Sequence, residues 1–223
     1  LLQPTATFAQ CPDNGQYMGE RTPGSGGPST ACSWQTQVVG PQEEWDFNVQ
    51  QGVTYIWSFV QGGGNASWYT QLTGFYEGPQ TVAFYNDDSP NSASSEVIWT
   101  SDWTGQIDVL INRYNCQGYG SAGSAILAYR IATPNLSIDQ GSALNTCNGL
   151  ASLSATQDYD SDGAIVWDLV SGQGSVNPNT GVVSGIPVNS SGLFQAEASN
   201  GGCVATSTIC LLYTSPSPRD ITP

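Results

Sequence analysis

The 223 residues carry a formal charge of −14, with eighteen Asp+Glu, only four Lys+Arg (all of them Arg) and no His. No basic patch is present to displace the counterions of a phosphate backbone or to meet an anionic membrane, so nucleic acid is excluded as a partner. Without His or Lys, Ser-His-Asp, Cys-His, Ser-Lys and Schiff-base chemistry are excluded too, and no stretch reaches the roughly 20 apolar residues of a membrane helix.

The chain opens LLQPTATFAQCPDNG. An apolar start followed by Thr7-Phe8-Ala9 puts small residues at the two positions that signal peptidase reads, so residues 1–9 are taken as a signal-peptide remnant with the mature start near Gln10. The alternative is an ordinary N-terminal arm. Cysteines 11, 32, 116, 147 and 203 are widely spaced, without a C-x-x-C pair or any His. That pattern fits disulfides in an oxidising compartment better than a zinc site. Both features point to a secreted or cell-surface protein.

From residue 34 onward, short runs rich in Val, Ile, Thr, Trp and Tyr recur between clusters of Gly, Asn, Asp and Pro, and helical periodicity is almost absent. This is an all-β signature. Strands are predicted over 34–39, 44–49, 53–60, 67–76, 81–85, 95–100, 105–113 and 124–131, enough for a two-sheet sandwich. In VTYIWSFV (53–60), Val53, Tyr55, Trp57 and Phe59 share one face, expected in the core. Thr54, Ile56, Ser58 and Val60 share the other, expected half covered. Pro134, in IATPNLS (131–137), marks a boundary. A second pattern follows, with strands predicted over 136–139, 150–156, 164–170, 174–177, 181–184, 192–199 and 204–209, the spacing of a small sandwich. The expected organisation is thus two tandem β-sandwich domains, jelly-roll-like over 10–132 and immunoglobulin-like over 135–209.

Three resemblances bear on this reading. EEWDFNVQQGVTYIWSF, VAFYNDD, SEVIWTSDWTGQIDVLINRYNC and SAILAYR resemble, in content and order, the secreted β-sandwich modules of Bacteroidota related to prepeptidase C-terminal domains, over about residues 30–131. NTCNGLASLSAT, AIVWDLVSGQGSVNPNTGVVSG and GLFQAEASNGGC resemble the immunoglobulin-like and PKD-like repeats of bacterial extracellular proteins. That likeness implies a bridge between Cys147, at the start of its strand B, and Cys203, just past strand F, with Trp167 in the core between them. The three remaining cysteines are odd in number. Cys11 with Cys32 is the preferred pair, and the partner of Cys116 stays open. Last, CLLYTSPSPRD (210–220) resembles a translated sequencing adapter, so 210–223 is expected to be unstructured read-through and the chain a fragment.

DYDSDG places Asp158, Asp160 and Asp162 at the opening spacing of an EF-hand, but Leu169 occupies the twelfth position, so it is no EF-hand. Two readings stand: a Ca²⁺ loop assisted by backbone carbonyls or waters, or a solvated acidic turn. Asp87 and Asp88, in YNDDSPNS, are first of all turn formers, with Ca²⁺ contact as the second reading. No cofactor is required. Most aromatic residues are needed for a core of this size. Trp68, Tyr69 and Trp103, beside QGGGN and SDWTG, are the candidates for stacking against a glycan. The expected role is a non-catalytic spacer or adhesion region contacting extracellular glycans or surface proteins. The alternatives are a carbohydrate-binding accessory of a secreted hydrolase, or a filament subunit whose residues 1–30 add a strand to a neighbouring copy, forming a homopolymer.

Overall fold

Four alternating apolar side chains, Val53, Tyr55, Trp57 and Phe59, organise the first half of the chain, and in the computed structural model of the protein each is at most 2% exposed. The structure describes residues 11–12, 15–20, 32–89, 92–118, 123–158 and 164–214. The signal-remnant reading of residues 1–9, along with Asp160 and Asp162, lies outside the described residues. Two compact units are present, residues 1–132 and 133–223.

The strands of the first unit are β1 (Gln16–Glu20), β2 (Gln35–Val39), β3 (Glu43–Val49), β4 (Thr54–Ser58), β5 (Thr70–Tyr76), β6 (Val82–Asn86), β7 (Glu96–Thr100), β8 (Gly105–Arg113) and β9 (Ala125–Ile131). They form a five-stranded sheet, β1-β3-β8-β5-β6, and a four-stranded sheet, β2-β9-β4-β7. Rings from the facing sheets interlock. Phe47 on β3 lies edge-on to Trp57 on β4 and to Tyr129 on β9, with centroids 5.6 and 4.9 Å apart. Phe84 on β6 stacks on Trp57 at 5.0 Å and reaches Trp99 on β7 at 5.4 Å. Such pairs add to the burial of the rings themselves.

The second face of β4 is covered more fully than its sequence suggests. Thr54, Ile56 and Ser58 are buried, and only Val60, beyond the strand, is 37% exposed. Ile56 lies between Ile98 and Arg130 in register, and the Arg130 guanidinium sits 4.7 Å over the Trp34 ring. Ser58 donates to Glu96 at 2.7 Å. On the outer face of the five-stranded sheet, Cys11, Phe75 and Leu110 form a small buried cluster. A disulfide between Cys11 and Cys116, with Cα atoms 5.3 Å apart, closes over it.

The second unit holds β10 (Ser137–Ile138), β11 (Ala143–Thr146), β12 (Ala151–Ser152), β13 (Ala155–Thr156), β14 (Val166–Gly172), β15 (Ser175–Val176), β16 (Val182–Ser184), β17 (Ser190–Asn200) and β18 (Cys203–Tyr213). A four-stranded sheet, β11-β18-β17-β14, accompanies the three-stranded β12-β16-β15 and the pair β10-β13. Trp167, Phe194, Ile209 and Leu211 lie at the centre of its core, with Leu153, Val183 and Ile186. The long β17–β18 hairpin turns at Gly201 and Gly202, whose φ values of 56° and 81° are those of a primed two-residue turn, reached without strain by glycine.

Three expectations are corrected here. Residues 210–213, expected to be unstructured, extend β18: Cys210 and Leu211 pair with Leu193 and Gly192 on β17 and with Ala143 and Leu144 on β11. The alternation of Ile209, Leu211 and Tyr213 carries the inward face past Ile209, and Leu211 is fully buried. Cys147 is an exposed free thiol, whereas Cys203 is disulfide-bonded. Thr146 is in register with Tyr213, so Cys147 emerges ten residues along β18 from Cys203, about 33 Å at the strand rise and far beyond disulfide reach. Cys11 pairs with Cys116 rather than Cys32, because the residues at Cys11 lie on the outer sheet face beside Leu110, next to the turn that follows β8. Cys32 is itself disulfide-bonded.

Two measurements follow from this arrangement. Leu211→Ala is expected to destabilise the second unit by about 2–5 kcal/mol, read as an earlier urea transition in Trp167 fluorescence. A transition unchanged from the parent chain would return residues 210–213 to the solvent. The native protein should also consume thiol reagent at Cys147 and Cys210 alone, with peptide mapping showing no label on Cys11 or Cys116.

Candidate functional site

Strand β8 ends at Arg113 and the chain then tightens into a 3-10 turn, Tyr114–Cys116. Asn115 and Cys116 hold φ values of 63° and 56°, in the left-handed region. Non-glycine residues rarely occupy that region unless their surroundings enforce it. Here the surroundings do. The disulfide to Cys11 fixes the Cys116 side chain, and the Cys116 amide donates to Gln71 Oε1 at 2.9 Å. Gln71 is 1% exposed, and its Nε2 donates to the Tyr85 hydroxyl at 2.6 Å, which in turn donates to Asp87 at 3.1 Å. One buried amide thus ties the turn after β8 to the turn after β6.

In front of this network lies an open cleft of about 560 Å³. One wall is the segment before β5, with Ser67, Trp68 and Tyr69; a second is Ser92–Ser94; the third is Arg113, Tyr114 and Gln117. The Tyr114 amide donates to the Tyr69 carbonyl at 2.9 Å, so the two tyrosines stand side by side at the rim, 56% and 65% exposed. Antiparallel register places Arg113 opposite Thr70, and opposed residues share a sheet face. Thr70 Oγ1 bonds Ser95 Oγ at 3.1 Å at the base of the Ser92–Ser94 wall. Trp68 is buried to 9% exposure and packs on Phe59, 6.3 Å between centroids.

Of the three sequence-predicted glycan residues, Trp68 and Tyr69 line this cleft and Trp103 does not. Trp103 precedes Gly105, the first residue of β8, whereas Arg113 is the last; eight strand steps separate them by about 27 Å. There Trp103 packs edge-on to Tyr76 at 5.8 Å, and Tyr76 donates to Asp102 at 2.6 Å. Arg113, Tyr114 and Gln117 were not singled out from sequence. The available signal was an arginine just before a cysteine turn, in a chain with four basic residues.

Two of the acidic candidates accept hydrogen bonds. Asp87 accepts from Tyr85, Asp88 is exposed, and Asp158 accepts from the Asn135 amide at 2.7 Å. Among the described residues no group of three or more His, Cys, Asp or Glu gathers as a metal site. Two phenols respond to their surroundings. Burial first, then the hydrogen bond to Asp102 and its charge, pushes Tyr76 up to about 12 from 10.0. Burial first, then Asp87, pushes Tyr85 to about 12, Gln71 opposing the rise and the neighbouring Tyr114 adding to it.

No family model and no curated protein sequence matches the chain. Among solved structures, it is similar to the N-terminal four Ig domains of Dscam1 isoform 1.9, at 12% identity and TM-score 0.32, covering 92% of this chain and 45% of that one. It is similar to the M60 catalytic domain with the CBM51-1 and CBM51-2 domains of Clostridium perfringens ZmpB, at 10% identity and TM-score 0.28, covering 82% and 19%. A third similarity is to three N-terminal domains of the bacteriophage RB49 highly immunogenic outer capsid protein (Hoc), at 11% identity and TM-score 0.25, covering 83% and 71%. The chain therefore spans less than half the length of the first two. The fold is all-β, with sandwich architecture.

In an alkaline titration followed by phenolate absorbance, Tyr76 and Tyr85 should ionise near pH 12 and lag tyrosines titrating at about 10. Their folded pKa is raised, so their contribution to stability is whole below about pH 10 and is lost as the pH rises through about 12. Asp87→Asn should bring Tyr85 only part of the way down, since burial is the larger cause. A titration of all phenols in one step at their ordinary value contradicts this.

Proposed function

We propose that this chain is a non-catalytic contact region of a secreted or cell-surface protein, and that its first unit engages extracellular saccharides at the cleft. The observation that carries the reading is the pair of exposed tyrosines, Tyr69 and Tyr114, set beside Arg113, Gln117 and a serine-lined wall. Flat aromatic faces match the C–H faces of a pyranose, and the surrounding donors match its hydroxyls. The carboxylates near the cleft support a non-catalytic role: Asp87 is engaged by Tyr85 and Glu96 by Ser58 and Gln61. General acid–base work needs carboxylates facing each other across the ligand. Four oxidised cysteines support an extracellular setting. The motif order supports kinship of the first unit with the secreted Bacteroidota modules related to prepeptidase C-terminal domains, and the motifs of the second support kinship with the immunoglobulin-like or PKD-like repeats of bacterial extracellular proteins.

The filament reading has less support, because β1, within the arm it requires, already pairs in parallel with β3 of its own chain. The surface-protein reading shares the same cleft and would appear as binding to protein but not to glycan.

On a glycan array the intact chain should bind a subset of saccharides. Tyr69→Ala and Tyr114→Ala are each expected to weaken that binding by about tenfold or more, while Trp103→Ala leaves it unchanged. A blank array, or full binding by both tyrosine variants, would rule the reading out.

A further inference from the structure

We infer that the saccharide taken by the cleft carries a single carboxylate, held by the Arg113 guanidinium. This deepens the saccharide reading and rests on it. The chain has eighteen acidic residues against four basic ones, yet no Asp or Glu is among the residues lining the cleft, and one of the four arginines is. Arg130 is accounted for by its seat on Trp34. Arg113 is half-buried at the mouth between the sheets, and among the described residues no carboxylate pairs with it. A partly desolvated cation left without a counter-charge in an acid-free recess is suited to an anionic ligand group.

The planar fork of an arginine matches a carboxylate with two parallel N–H···O bonds. Tyr69 and Tyr114 line the same cleft, where the ring bearing that carboxylate would rest, and Gln117 and the serines offer partners to its hydroxyls. The net charge of −14 sets an upper limit on the ligand's own charge. A single carboxylate near Arg113 is shielded from remote acids beyond a Debye length of about 8 Å at physiological ionic strength. A polyanion running across the surface meets the whole repulsive field. Terminal sialic acid and terminal uronic acid share the required chemistry.

The test is calorimetric titration of the intact chain with 3′-sialyllactose, with a glucuronate-terminated disaccharide, with lactose and with heparin. At least one acid-terminated sugar should bind about 10- to 100-fold more tightly than lactose, and which one binds names the source. Arg113→Gln should reduce it to the parent chain's lactose level, with the thermal unfolding midpoint unchanged. Arg113→Lys should recover part of the loss. Equal binding of acidic and neutral sugars, or Arg113→Gln binding like the parent, overturns the carboxylate assignment and leaves the saccharide reading in place. Failure of both acidic sugars, in a chain that binds neutral saccharides on the array, does the same. Heparin binding more tightly than either short acid overturns the limit to one charge. A blank array together with no heat from any probe removes both readings.

Discussion

Trp57 packed between Phe47 and Phe84 is the contact on which the first unit depends. The indole meets one ring edge-on and stacks on the other, so that strands from both sheets converge on one side chain. The stack also dictates the residue beneath it. A β-carbon on Gly74 would lie 2.5 Å from the Phe84 ring, closer than any real contact, so β5 must carry glycine there if β6 is to lay its ring across the sheet. Tyr76, Trp99 and Tyr129 extend the same layer. Towards the start of β5 the layer thins. Thr70 and Ser95 meet there through hydroxyls, the Ser95 amide donating to Thr70 Oγ1 at 2.6 Å. Small polar side chains fill less space than indoles, and the cleft opens at that end of the sandwich.

An opening at a sheet end becomes a binding site only if its walls stay in place, since ordering them at the moment of binding subtracts from affinity. Gln71 supplies that order. It holds the amide of Cys116 on one side and the hydroxyl of Tyr85, near the end of β6, on the other, so the turn after β8 is tied to the sheet edge. The disulfide and the two left-handed residues of the Tyr114–Cys116 turn are parts of the same fastening. A glutamine at 1% exposure, satisfied at both ends, is well suited to this: a half-satisfied amide at the same place would be destabilising.

Strands whose two faces differ were legible in the sequence, and those defined by pairing alone were not. The alternation in 53–60 predicts the core face of β4 because burial repeats every second residue. QYMGE and ALNT carry no such pattern; β1 and β11 exist because β3 and β18 offer a free edge, and both join in parallel. Leu211 had the right alternation and was set aside because CLLYTSPSPRD resembles an adapter, yet the sheet continues through it. Cys116 found a partner 105 residues away, a choice made by which segment covers the outer sheet face and invisible in cysteine spacing. At the cleft, Tyr69 was legible as an exposed aromatic beside a glycine-rich loop. Arg113 and Tyr114 were not, because only the β5–β8 register carries them to it.

The distribution of charge joins the fold to the site. A chain without Lys or His, and with only four Arg, has few cations with which to secure its turns, and here carboxylates accept hydrogen bonds from neutral donors: Glu96 from Ser58 and Gln61, Asp102 from Tyr76, Asp87 from Tyr85, Asp158 from the Asn135 amide. Each such bond keeps a negative charge at the surface without a cation to cancel it. The sum is a strongly negative molecule in which an acid-free recess with an arginine on its wall differs in sign from its surroundings. On the proposed reading that one guanidinium would add modest affinity and a larger discrimination, the surrounding negative field turning away polyanions while a short, singly charged ligand is met by the nearby positive group.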